Sequence, residues 1–148
     1  MNKDQVLHKA AEIIAEFEGL ALKAYKCPAG VWTIGVGATG PGIKEGTTWT
    51  KDQALSRLET DIEERYAQMV AVLGDAPTTD TQAAAMLSLI FNIGIGNFKT
   101  SSVLKEHKGK HYDRAANAFL LWNKANGVIL GGLIRRRKAE RELYLSGT

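Results

Sequence analysis

A chain of 148 residues, 45% hydrophobic and 24% charged, suits one globular domain that buries about 70% of its unfolded surface. It holds no low-complexity block and no internal repeat, which excludes fibrous, disordered and solenoid classes. A net charge of +3 favours a polyanionic partner, whether nucleic acid, membrane surface or anionic cell wall, without choosing among them.

Val6, Leu7, Ala10, Ala11, Ile13, Ile14 and Phe17 recur at helical spacing, with Gly19 placed as a stop, so the chain opens on an amphipathic helix. Asp4, His8, Lys9, Glu12 and Glu16 interrupt it, which predicts neither a signal peptide nor a membrane span. The expected site of synthesis and folding is the cytoplasm, and Cys27, the single cysteine, needs no oxidising compartment. From Leu22 to about Gly46, strand formers such as Tyr25, Val31, Trp32 and Ile34 alternate with glycines, predicting a small antiparallel sheet of two or three strands.

"TKDQ" at 50–53 reads as a capping box. It opens a helix expected to run to about Leu73, ~35 Å long at 1.5 Å per residue, a spine between two lobes. Asp61 and Arg65 are spaced as an i,i+4 pair on it. "TDTQ" at 79–82 opens a second helix, "AAAMLSLIFNIG", apolar nearly all round and therefore central. Shorter helices are predicted near 101–107, over 112–125 and over 133–145. The fold class is α+β, with a small N-terminal sheet lobe at about 18–60. A larger helical lobe takes about 61–148 plus the first helix.

The chemistry candidates are weak one by one. Glu18 ends the first helix and alone reads as a solvated surface acid. Cys27 precedes the turn-like Pro28-Ala29-Gly30, which leaves it exposed or half exposed, although a lone cysteine is more often a small buried hydrophobe. Thr33 alone is an ordinary strand threonine. His8, His107 and His111 carry no cysteine-hydrolase signature, "GVGATGPG" is no phosphate loop, and no Cys/His spacing suits a metal. "RRRKAER" at 135–141 could bind nucleic acid, but Leu133, Leu143 and Tyr144 make an amphipathic closing helix with a basic face the better account.

Taken together they are specific. Glu18, eight residues, Cys27, five residues, Thr33 resembles the active-site signature of the phage-type lysozymes, the endolysins of glycoside hydrolase family 24. "FEGL" with "AYKCPAGVWTIGVG", then "TQAAAMLSLIFNIGIGNF", then "GGLIRRRKAERELY" resemble that family's blocks in order, from Phe17 to Tyr144.

The resemblance implies a lysozyme-like two-lobed fold, joined by a long helix. It implies a muramidase that cleaves the β-1,4 bond between N-acetylmuramic acid and N-acetylglucosamine in peptidoglycan. Glu18 would be the general acid, Cys27 would stand at the second acidic position, and Thr33 would position water. The family is regarded as inverting, for which the template needs the two groups ~6.5–9.5 Å apart.

By the same resemblance Phe91, Asn92, Ser101, Ser102 and, more weakly, Asn117 would line the helical side of the cleft, and Arg135 or Arg136 would lie near Glu18. Ala38 stands where many relatives carry histidine. A single-domain monomer is expected, with no cofactor, no metal, no nucleic-acid partner, no stable membrane insertion and no separate wall-binding domain. A holin or similar lesion would release it from the host cytoplasm to the periplasmic wall, for lysis. The rivals are a catalytically impaired wall-binding relative and a nucleic-acid-binding module.

Overall fold

The computed structural model describes residues 1–147. Helix α1 (Lys3–Glu18) is capped by Asn2, whose side chain accepts from the Gln5 N–H, and it ends at Gly19, whose N–H donates to the Ala15 carbonyl. The chain then folds back as an antiparallel pair, β1 (Ala21–Lys26) and β2 (Trp32–Gly35), with Tyr25 opposite Thr33 and Lys26 opposite Trp32. Bridges from Lys23 to Thr48 and from Ile34 to Ala38 extend the sheet. Gly35 sits at φ +65°, and a Cβ there would meet the Trp49 ring at 3.1 Å, so this turn requires glycine.

Both predicted capping boxes are present, at Thr50–Gln53 and at Thr79–Gln82. The predicted spine is not one helix. It breaks at Ile62 into α2 (Lys51–Asp61) and α3 (Glu63–Leu73). Ile62 takes φ −96° and ψ 0°, the bridge region, with its side chain fully buried. The Asp61–Arg65 side-chain pair does not form either. Asp61 binds Arg57 at 3.0 and 3.2 Å, and Arg57 also donates to the Thr39 carbonyl at 2.9 Å, tying the sheet-lobe loop to α2. The Arg65 guanidinium instead covers the Phe91 ring, 5.0 Å from its centroid.

Helix α4 (Asp80–Ile93) is the centre of the core, buried continuously from Gln82 to Ile90 and packed against the first and last helices. Short helices α5 (Ile95–Lys99), α6 (Ser102–Lys108) and α7 (Tyr112–Phe119) follow. The predicted 112–125 helix stops at Phe119. The chain leaves it to form a hairpin, β3 (Lys124–Ala125) and β4 (Val128–Ile129), before α8 (Gly131–Leu145) closes the lobe. None of the described helices is long and apolar enough to cross a membrane.

The expected basic face of α8 is present only in part, in the exposed Arg135 and Lys138. Arg136, Arg137 and Glu140 are buried, as is Tyr144. Tyr144 closes a neutral network instead. The Thr78 hydroxyl donates to the Ala76 carbonyl and so accepts from His107 Nε2, leaving His107 Nδ1 to accept from the Tyr144 hydroxyl at 2.6 Å. Burial pushes the His107 pKa down and the Tyr144 pKa up.

Candidate active site

Glu18 is the last residue of α1, and its position is fixed from the far end of the chain. Arg136 Nη1 donates to Glu18 Oε1, while Arg136 Nε binds Glu140 Oε2 at 3.3 Å and Nη2 binds the Ser88 carbonyl at 3.1 Å. Arg137 Nη1 holds the other Glu140 oxygen at 2.8 Å, and Arg137 Nη2 donates to Asn92 Oδ1. Ser88, in the buried run of α4, donates its hydroxyl to Glu140 at 2.5 Å. Burial pushes the Glu140 carboxyl up, opposed by Arg137, by the Ser88 hydroxyl and by Arg136. Burial likewise pulls Arg137 down, chiefly opposed by Glu140, but a guanidinium starts high enough to stay charged.

Two carboxylates thus face two guanidiniums. Glu140 is sealed in the interior, and Glu18 reaches water with a third of its side chain exposed. Arg136, buried but for a few per cent, is the cation the resemblance expected beside Glu18; Arg135 is exposed and makes no such contact.

Glu18, Asn92, Leu130, Leu133, Arg135 and Arg136 line a cavity of about 660 Å³. Asn92 Oδ1 is held by Arg137, so its amide N–H groups are the part left to bind something else. A larger hollow of about 970 Å³ lies between α1, α2 and α8 around Ile13, Leu55 and Leu143, and contains none of the candidate residues.

Cys27 and Thr33 are brought together at the tip of the β1–β2 hairpin. Cys27 donates its N–H to the Val31 carbonyl at 2.9 Å, and the Thr33 hydroxyl donates to the same carbonyl at 3.0 Å. The thiol is half-buried and free. Hydrogen bonds from the backbone at Val31, then at Ala29, lower its pKa, with a smaller contribution from the Thr33 hydroxyl and partial burial opposing. That environment favours the thiolate more than a free thiol in water would, moving Cys27 towards the charge an aspartate carries.

The other sequence candidates sit elsewhere. Phe91 is half-buried beneath Arg65. Ser101 caps α6, donating to the Phe98 carbonyl and accepting from the Leu104 N–H, and Ser102 is the exposed first residue of that helix. Asn117 accepts from Arg141 Nε at 2.9 Å on the surface. None of the four lines the Glu18 cavity, and neither do Cys27 and Thr33; of the candidates, Asn92, Arg135 and Arg136 share it with Glu18. The sequence reading missed Arg137, Glu140 and Ser88, which position Arg136, and Leu130, which rims the cavity. Among the described residues no cluster of His, Cys, Asp and Glu is placed to hold a metal ion.

A small sheet set beside a helical body, with an acid pinned by a buried arginine where α1 meets α8, is a lysozyme-like arrangement. The family model for Phage lysozyme matches residues 15–140. The chain is 41% identical over 148 residues to an endolysin of Acyrthosiphon pisum secondary endosymbiont phage 1, covering 95% of this chain and 98% of that one. It is 41% identical over 136 residues to the endolysin of Salmonella phage P22, covering 87% and 90%. A crystal structure of a P22 lysozyme mutant matches it with a TM-score of 0.79 at 37% identity, covering 92% of this chain and 94% of that one. This chain belongs to the phage lysozyme family.

Proposed function

We propose that the chain is an endolysin, a muramidase that hydrolyses the β-1,4 bond between N-acetylmuramic acid and N-acetylglucosamine in peptidoglycan and so lyses the host cell. In this reading Glu18 is the general acid that protonates the departing glycosidic oxygen. Cys27 and Thr33 orient the attacking water, and the reaction inverts the anomeric centre. The observation that carries it is the mounting of Glu18: Arg136 takes one carboxyl oxygen, while the side chain opens into a cavity large enough for sugar rings.

Asn92 offers its amide N–H groups to the sugar. Phe91, Ser101, Ser102 and, more weakly, Asn117 belong to the substrate-binding helical side of the cleft, beyond the Glu18 cavity. The enzyme works as a monomer. It waits in the host cytoplasm until a holin-type lesion admits it to the periplasmic wall. The "RRRK" run is a poor nucleic-acid surface, because two of its arginines face Glu18 and Glu140 inside the protein.

The test is hydrolysis of purified peptidoglycan by the native chain, Glu18→Gln, Cys27→Ser and Cys27→Asp, with released ends identified by mass spectrometry. New reducing N-acetylmuramic acid ends, lost in Glu18→Gln, are expected. Cys27→Asp should keep much of the activity and Cys27→Ser should lose much of it. A native chain that binds walls without cleaving them would leave a wall-binding protein.

A further inference from the structure

The segment leading into α8 is exposed to a degree that packing does not explain. Every residue from Lys124 to Gly132 is exposed, including all four strand residues of the β3–β4 hairpin. Leu121, Val128, Ile129 and Leu130 are 70%, 59%, 57% and 43% exposed. An isolated two-stranded hairpin is marginal in water. This one is held by Asn126 and Gly127, both at positive φ (51° and 79°) as a type I′ turn requires, and by the Leu130 N–H bonded to the Asn123 carbonyl at 3.0 Å. Strand alternation puts Val128 and Leu130 on one face and Ile129 on the other. Each face therefore shows water an aliphatic side chain: Val128 beside its cross-strand partner Ala125 on one, and Ile129 beside Lys124 on the other.

The charge of the segment is one-sided. No acidic residue occurs from Leu121 to Ala139, whereas Lys124, Arg135, Arg136, Arg137 and Lys138 do. Arg136 and Arg137 are neutralised inside by Glu18 and Glu140. Lys124, Arg135 and Lys138 are exposed, and no ion pair engages them among the described residues. Of the three, Arg135 shares the wall of the adjoining cavity with two acids that reach water, Glu16 and the Arg136-bound Glu18.

We propose that this hairpin and its three cations form a peripheral docking surface for an anionic lipid bilayer. A ligand seated in the Glu18 cavity, such as a wall peptide, would cover one face of the hairpin, whereas an interface between headgroups and acyl chains surrounds both. Leu121, Val128, Ile129 and Leu130 enter that boundary while Lys124, Arg135 and Lys138 stay level with the phosphates.

The experiment is co-sedimentation of the full chain with vesicles of phosphatidylglycerol mixed into phosphatidylcholine, with pure phosphatidylcholine vesicles, and with purified peptidoglycan. The variants are V128S/I129S and K124Q/K138Q, each checked for an unchanged thermal midpoint. Binding to the anionic vesicles alone among the lipids is expected, weakening as salt rises. At about fivefold per cation the lysine pair should weaken it ~25-fold, and the aliphatic pair by about tenfold or more. Equal binding to both vesicle types, no vesicle binding, or variants that bind anionic vesicles like the native chain would overturn the proposal. So would an aliphatic variant that loses peptidoglycan and keeps vesicles, which would reassign the hairpin to the wall.

Discussion

Helix α8 carries a buried polar cluster at each end, and the two are built to opposite rules. At the upstream end Arg136 and Arg137 meet Glu140 and Glu18: four charges that sum to zero, three sealed in and the fourth reaching water. At the downstream end Tyr144 and His107 make an uncharged chain of hydrogen bonds, 0% and 1% exposed. The neutral cluster satisfies its polar atoms with one tautomer. The charged one leaves Arg137 Nε buried without a partner among the described residues. Charge is accepted in the interior where an acid must be held at a cavity, and avoided where the helix only needs anchoring. A buried pair is poor evidence of stability but expensive to break.

The comparison predicts a ranking. Glu140→Gln leaves two guanidiniums facing only Glu18 and should destabilise the fold by about 3–5 kcal/mol in urea unfolding. A loss under about 1 kcal/mol would mean that water already penetrates the cluster. Tyr144→Phe removes the donor to His107 Nδ1 and strands a buried acceptor, at about 1–3 kcal/mol. If it cost more than Glu140→Gln, the contrast between the two ends would be inverted.

The neutral end should also respond to pH. Burial holds the His107 pKa in the folded state below 6.5, its ordinary value, so the unfolded chain binds that proton more readily. Its contribution is full above about 6.5 and is lost as pH falls from there towards the folded value. Urea midpoints at pH 7.5 and 5.5 should differ in the native chain, and by less in His107→Gln. Alkylation of Cys27 by iodoacetamide should reach half its maximal rate below the pH found for a free thiol, because the Val31 and Ala29 backbone favours the thiolate. At the small end, Asn117→Ala removes an exposed hydrogen bond to Arg141 and should cost ~0.5 kcal/mol or less.

What the sequence reveals follows the reach of the interactions. Both capping boxes are legible because Thr50 with Gln53, and Thr79 with Gln82, settle matters within one turn. The break at Ile62 is not, since no glycine or proline marks it and the residue simply turns into the core. The β3–β4 hairpin goes unpredicted although Asn126-Gly127 is a hairpin signal, because the helical pattern before it reads on to 125 while the helix itself ends at Phe119. "RRRK" fails as a guide for the converse reason. Four adjacent cations look alike in a string, and only Glu18 and Glu140 decide that two of them are interior. Glu18, Cys27 and Thr33 are legible as a pattern, but the lowering of the thiol comes from backbone groups that a sequence does not display.

The pairing of Glu18 with Arg136 also sets an order in time. The two residues lie 118 positions apart. At the pace of translation the ribosome reaches the arginine about 6–24 s after the glutamate. Until then the nascent chain has a first helix and a hairpin but no cation to seat its acid, and Glu140 and Tyr144 follow later still. A chain cut short anywhere before α8 therefore lacks the cation that holds Glu18. Seating the acid is thus one of the last events in making this chain, because the cation that holds it lies in the closing helix.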